Sequence, residues 1–168
     1  MSDRRALLSF PDPVDEVSAR LVAGGVAFLA VVAVVARQPW LALPLAYGFV
    51  ARVAAGPRFS PWALLVTRLL RPRLRWAERP VPGPPKRFAQ GIGACLTVVA
   101  AAVHVMLGWT TVSLVLLAGV AVAATLESGF GLCIGCKLFA VLVRRGLLPA
   151  SVCEACADLR LRGHPAAS

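Results

Sequence analysis

The sequence predicts an all-α integral membrane protein: four transmembrane helices in two hairpins, accompanied by two short interfacial helices. Three observations predict it. Apolar residues make up 58% of the 168 positions, and the mean hydropathy is +0.75. The formal net charge is nonetheless +10. The cations gather between the apolar runs rather than within them. High hydropathy and a basic excess coexist where apolar spans alternate with cationic segments at a membrane surface. A strongly basic chain can also bind nucleic acid. Here the arginines border apolar runs, so the expected partner is a lipid bilayer and no nucleic acid.

Residues 1–20 mix Asp3, Arg4, Arg5, Asp12, Asp15, Glu16 and Arg20 with Pro11 and Pro13, and read as a short polar arm. Residues 21–36 are an uninterrupted apolar run. With 17–20 added, the run reaches the length of about 17 to 25 residues that spans a bilayer. The arm before it is long and acidic for a signal peptide, and a second apolar run follows at once, so an uncleaved first span is predicted. Arg37-Gln38-Pro39 supplies the break, because proline cannot continue a helix. Residues 40–55 then close a tight hairpin, with Trp40 as an interfacial anchor.

Between 57 and 87 the character changes. Arg58, Arg68, Arg71, Arg73, Arg75, Arg79, Lys86 and Arg87 face the single acid Glu78. Ser60-Pro61 is a helix-start signature, a capping hydroxyl followed by proline in the first turn. Trp62, Leu65, Val66, Leu69 and Leu70 follow at helical spacing, which predicts an amphipathic helix lying in the interface. Pro80, Pro82, Pro84 and Pro85 predict an extended second half of the loop. Residues 88–107 and 110–126 are the third and fourth spans, joined by an uncharged turn at Gly108-Trp109.

Two hairpins leave both ends on one side, and the charges say which side. Of the 18 lysines and arginines, 17 fall in the arm, the 52–87 stretch and the segment after 127. Only Arg37 lies opposite. Such a bias puts the cationic face in the cytoplasm. The expected location is the cytoplasmic membrane of a bacterium, with both termini inside. Residues 1–145 then form a four-span membrane domain: hairpin 17–55, basic loop 56–87, hairpin 88–128, and a dithiol with its interfacial helix at 129–145. Residues 146–168 form a cytosolic cysteine-containing tail.

The two halves also match in layout. A shift of 73 residues lays hairpin on hairpin, Gly56 on Gly129, Ser60 on Cys133 and Arg71 on Arg144. An internal duplication in parallel orientation is expected, with Cys133 at a helix start like Ser60.

The chemistry concentrates in Cys133-Ile134-Gly135-Cys136, with a second pair at Cys153-Glu154-Ala155-Cys156. A C-x-x-C at a helix start is the arrangement that lowers a thiol pKa, because free N–H groups and the positive dipole end face the sulfur. Lys137 adds to that field. In a cytosolic, reducing setting structural disulfides are not expected. Two readings fit the cysteines. In the first, Cys133 attacks and Cys136 resolves, with Cys153 and Cys156 as the next pair in a thiol redox or persulfide relay. In the second, the spacing C-x2-C-x16-C-x2-C is a four-thiolate zinc site that folds the tail of a non-enzymatic anchor or small transporter. Glu127, near the inner end of the fourth span, is expected to support the site or to pair with Arg52 or Arg87. Cys95 reads as a small apolar core residue, and His104 as a partner in an interhelical hydrogen bond.

Arg58-Phe59-Ser60-Pro61, Arg71-Pro72, Pro85-Lys86-Arg87-Phe88-Ala89-Gln90 and Gly129-Phe130-Gly131-Leu132-Cys133-Ile134-Gly135-Cys136 occur in that order. Over roughly residues 10–145 the chain resembles the bacterial membrane family called domain of unknown function 4395. Its closing motif is Gly-Phe-Cys-x-Gly-Cys, from which this chain departs by Leu132 after Gly131. The resemblance implies thiol or sulfur-transfer chemistry with a thioredoxin-like protein or a rhodanese-type sulfurtransferase, whose genes often neighbour those of the family. The pair Cys153 and Cys156 lies beyond the resemblance.

Overall fold

The computed structural model describes residues 14–74 and 79–147. Within them the chain is helical apart from one antiparallel bridge, in which β1 (Val14–Asp15) pairs with β2 (Pro80–Val81). Asp15 then caps α1 (Glu16–Val35). Its carboxylate accepts from the Ser18 N–H at 3.1 Å and the Ser18 hydroxyl at 2.7 Å. Arg37, in the left-handed region at φ 52, ends the first helix. A 3-10 turn (Pro39–Leu41) leads into α2 (Ala42–Ala55), which Gly56 closes at φ 64.

A second 3-10 turn (Gly56–Phe59) reaches Ser60, the extended residue that opens α3 (Pro61–Leu65). The helix continues through a π-helical stretch (Val66–Leu70) and a last turn (Arg71–Arg73). Arg71 Nε donates to Asp15 at 2.6 Å, which ties this end to the start of α1. Then come α4 (Gly83–Leu107), α5 (Thr110–Phe130) and α6 (Ile134–Arg144), ended by Gly108, Gly131 and Gly146, all at positive φ.

Helices α1, α4 and α5 are long and apolar enough to cross a membrane, while the apolar stretch Pro39–Ala55 is shorter. Their outward faces carry Phe28, Val35, Leu43, Val50, Val105, Val115 and Val122, all exposed. Their inward faces are built from small residues: Ala30, Ala33, Ala42, Ala55 and Ala100 have no exposed surface. Large side chains toward the solvent and small ones between helices is the packing of a membrane protein, where close backbone approach replaces the hydrophobic effect. This is a helical, membrane-spanning protein.

The first two helices do not pack as a tight hairpin, although α4 and α5 do lie on each other. Helix α1 lies mainly on α5 and α2 mainly on α4, while α1 and α2 hardly touch. Each helix of the first half therefore finds its partner in the second. The interfacial elements follow the same exchange. Helix α3 sits on α1, where Ala63 and Val66 bury against Val22 and Trp62 Nε1 donates to the Val22 carbonyl at 3.2 Å. Helix α6 sits on α4, with the Phe139 and Phe88 rings 5.5 Å apart. Arg20 on α1 donates to the Ser128 and Gly129 carbonyls at the end of α5. Arg87 on α4 donates to the Val53 carbonyl at the end of α2. These arginines supply cations and donors where helix C-termini leave carbonyls free.

Two further sequence expectations need correcting. The third long helix starts at Gly83 rather than 88, because Pro84 and Pro85 occupy its first turn. There the missing N–H would have had no intrahelical partner, and the fixed φ suits a helix. The fourth helix breaks at Gly131 and not at Gly129, which remains helical. The glycine register of the two halves therefore differs by two residues, although both capping positions align.

Candidate functional site

The local fold around the dithiol follows from three residues. Gly131 adopts φ 67, in the region only glycine enters freely, and turns the chain off the end of α5. Cys133 is then extended (φ −84, ψ 104) and occupies the N-cap of α6. Ser60 before α3 is nearly superposable in conformation, at φ −93 and ψ 113. Gly135 lets α6 lie directly on α4: a Cβ there would come within 2.5 Å of the Ala89 Cβ and 2.6 Å of its Cα. The glycine between the cysteines is thus fixed by helix–helix contact.

This contact brings the first turn of α4 to the dithiol. Lys86 is only 8% exposed, and its Nζ lies 2.6 Å from Glu127 Oε1. Lys86, Cys133, Cys136, Lys137, Pro85 and Phe139 line an open cleft of about 620 Å³. Cys133 is buried and Cys136 half-buried, so the first cysteine is the less exposed residue, the reverse of what an N-cap position suggests.

The Cys133 side chain makes no capping hydrogen bond in the strict sense. The Cys136 thiol still faces its sulfur and, more than any other group, favours the Cys133 thiolate. Burial and Glu127 oppose it, and the Cys136 N–H and Lys86 assist; the Cys133 thiol is held below its ordinary value. The Cys136 thiol, hydrogen-bonded to that sulfur and buried beside it, is pushed far up. One sulfur is set to be a thiolate and the other a thiol that keeps its proton.

Behind Glu127 lies a second cation. Arg52 on α2 is only 5% exposed and lies close enough to Glu127 to feel its charge. Its Nε donates to Gln90 Oε1 at 2.9 Å, and its guanidinium sits 4.5 Å above the Phe49 ring.

Of the residues the sequence singled out, Cys133, Cys136 and Glu127 come together. Lys137 lines the same cleft but is exposed. Cys153 and Cys156 lie outside the described residues. Cys95 is exposed on α4 and not part of a core. His104 meets Thr110 Oγ1 at 3.5 Å, the outer limit of a hydrogen bond, and packs edge-on to Trp40 at 4.8 Å. Glu127 pairs with neither Arg52 nor Arg87 but with Lys86, which sequence reasoning passed over as one loop cation among many.

The zinc reading is overturned. Among the described residues no group of three or more His, Cys, Asp or Glu side chains could hold a metal ion. The dithiol's charged neighbour is instead an ammonium, and the Glu127 carboxylate close by is taken up by that ammonium.

The match to the family described as domain of unknown function DUF4395 spans residues 14–144. The chain belongs to that family. The DUF4395 match begins at β1 and ends with the last residue of α6, so it contains Lys86, Glu127 and the dithiol, and stops before Cys153 and Cys156. No curated protein and no solved structure matches the chain.

Proposed function

We propose that this DUF4395 protein is a four-span membrane component of a thiol redox or persulfide relay, with its dithiol on the cytoplasmic face. The observation that carries the reading is the shared cleft: Cys133 and Cys136 at the start of α6, with the buried Lys86 beside them. The thiolate at Cys133 attacks one sulfur of a disulfide on a soluble thioredoxin-like partner. The other sulfur leaves as a thiolate. Cys136 then gives up its proton and attacks Cys133, releasing the partner's second sulfur. The partner's disulfide gains two electrons, and Cys133 and Cys136 become a disulfide. The same attack on the outer sulfur of a sulfurtransferase persulfide would move that sulfur to Cys133.

Helix α2, with the turn before it, is the second of the four spans. From Pro39 to Ala55 it measures about 25 Å at 1.5 Å per residue, enough for a bilayer that thins slightly or a neighbour that covers its end. The placement of 17 of 18 cations supports this orientation. Cross-paired helices and two extended helix-start residues favour an internal duplication.

The test uses the full chain in membranes, with single-cysteine variants at 133 and 136. A membrane-impermeant maleimide should label Cys133 in inverted vesicles and not in intact spheroplasts, at a pH below that of a free thiol. Cys136→Ser should trap a mixed disulfide with a thioredoxin-like protein through Cys133, and Cys133→Ser should trap none. Labelling from the outside, or equal reactivity of the two thiols, would refute the reading.

A further inference from the structure

Lys86 and Glu127 are an ion pair that packing does not require. A charged side chain at the end of a membrane helix could reach water instead, yet both are drawn in, with side chains 11% and 18% exposed. They lie where the dithiol meets α4. A disulfide exchange through Cys133 has one step for which the dithiol supplies no base. After the mixed disulfide forms, Cys133 is no longer a thiolate, and Cys136 must lose its proton to attack.

We propose that Lys86 and Glu127 remove that proton. Lys86 first gives a proton to Glu127 Oε1, 2.6 Å away, and the lone pair this frees then takes the proton of the Cys136 thiol. The Cys136 thiolate then attacks Cys133 Sγ, a new S–S bond forms, and the bond from Cys133 to the partner sulfur breaks, its electron pair leaving with the partner thiolate. The proton ends on Glu127 and the electrons on the partner. Lys86 is an ammonium before and after the transfer, facing first the Cys133 thiolate and then the Cys136 thiolate.

The other charged groups around Glu127 fit this role. Lys86 approaches from α4, Arg52 from α2, and the two thiols from α6 and its cap. From α1, Arg20 reaches the Ser128 and Gly129 carbonyls just beyond it, and Glu16 lies against Gly131. Arg52 has its own partners in Gln90 and Ser60. When Glu127 takes the proton it leaves a cationic pocket that favours a thiolate on Cys136, and when it gives the proton to water the pocket resets.

This inference rests on the dithiol reading above, and one experiment separates the two. The full chain carrying Cys95→Ser, Cys153→Ser and Cys156→Ser keeps only the dithiol. Mixed with an aromatic disulfide that releases a coloured thiolate, it should give two bursts: one for attack by Cys133, one for resolution by Cys136. Glu127→Gln should slow the second burst by at least about tenfold near neutral pH, in the range ascribed to general base catalysis. It should leave that burst rising with hydroxide, and should quicken the first burst at low pH, because Glu127 opposes the Cys133 thiolate. A melting temperature in detergent equal to the parent's separates this from damage to the fold. Glu127→Asp should restore part of the second burst. A second burst in Glu127→Gln that keeps its rate and pH profile would overturn the proton transfer alone. A parent protein that releases a single equivalent would overturn the dithiol reading and this inference with it.

Discussion

Gly135→Ala tests whether the site is built by the contact between α6 and α4. The new Cβ would lie 2.5 Å from the Ala89 Cβ and 2.6 Å from its Cα. Carbon atoms in contact settle at about 3.5 to 4.0 Å, so a deficit of about 1.2 Å must be made up. No flexible side chain can absorb it, since the obstacle is Ala89 itself, including its backbone. The first turn of α6 has to lift. Overpacking of this kind costs about 1 to 3 kcal/mol, and the burial of Phe139 that holds α6 down contributes about 2 kcal/mol. The two are of one size, so the helix is expected to separate rather than strain in place. Cys133 would then leave Lys86, and its thiol should return toward the ordinary value. Alkylation rate against pH reads this directly, alongside a melting temperature in detergent. Gly91→Ala is the internal control: it sits in the same helix α4, and its Cβ would meet nothing within 4 Å. It should leave the dithiol unchanged and stabilise slightly, as alanine does over glycine in a helix. A Gly135→Ala protein with the parent's alkylation profile and melting temperature would refute the argument.

Lys86→Met should leave Glu127 buried without its partner, a loss on the order of 3 kcal/mol, and should slow Cys133 alkylation at neutral pH by removing a group that favours the thiolate. The double variant with Glu127→Gln should recover much of the stability but not the fast alkylation; a melting temperature no higher than that of the single variant would contradict the pairing. Asp15 is the second point of electrostatic control. Burial acts to raise its carboxyl, but the Ser18 hydroxyl, Arg71 and the Ser18 and Arg79 N–H groups outweigh it and bring the carboxyl down to about 2. A depressed carboxyl stabilises the fold above its unfolded value of 3.8 and loses that contribution as pH falls toward about 2. The start of α1 around Asp15 should therefore resist proteolysis equally from pH 8 to pH 5. Asp15→Ala, losing a helix cap worth about 1 kcal/mol, should free it at every pH in that window, and a start of α1 as protected as the parent's would count against the link from Asp15 to Arg71.

Much of this was legible in the residues. Ser60-Pro61 announced a helix start, although the Ser60 hydroxyl accepts from Arg52 instead of capping the helix, and the dithiol's place at a helix start followed from the glycines before it. What could not be read were the consequences of tertiary partners. Pro84 and Pro85 look like loop residues because proline disrupts a helix interior, yet they are well suited to a first turn, and so Lys86 was hidden from view. The pairing of α1 with α5 leaves no mark in sequence order, because adjacent apolar runs joined by a short turn look the same whether or not they touch. The burial of Cys133 depends on how closely α6 approaches Ala89. Gly135 was the available signal, a glycine between two cysteines on a helix, where flexibility serves no purpose but lack of bulk does.

The exchange of partners between the two halves also bears on how the chain is assembled. When α1 and α2 leave the ribosome, the surfaces that will hold them have not yet been made. Helix α2 is the short one and carries Arg52, whose side chain is satisfied partly by Gln90, 38 residues later. Helix α1 waits longer still, for α5. The early helices therefore spend their first moments facing lipid with surfaces of alanine and glycine, which hold them only loosely to anything. The pairing predicts that insertion and folding are separate events in this protein. The second begins when α4 arrives, and it cannot finish before the end of α5, the point at which Glu127 meets Lys86 and the turn carrying the dithiol comes next in the chain.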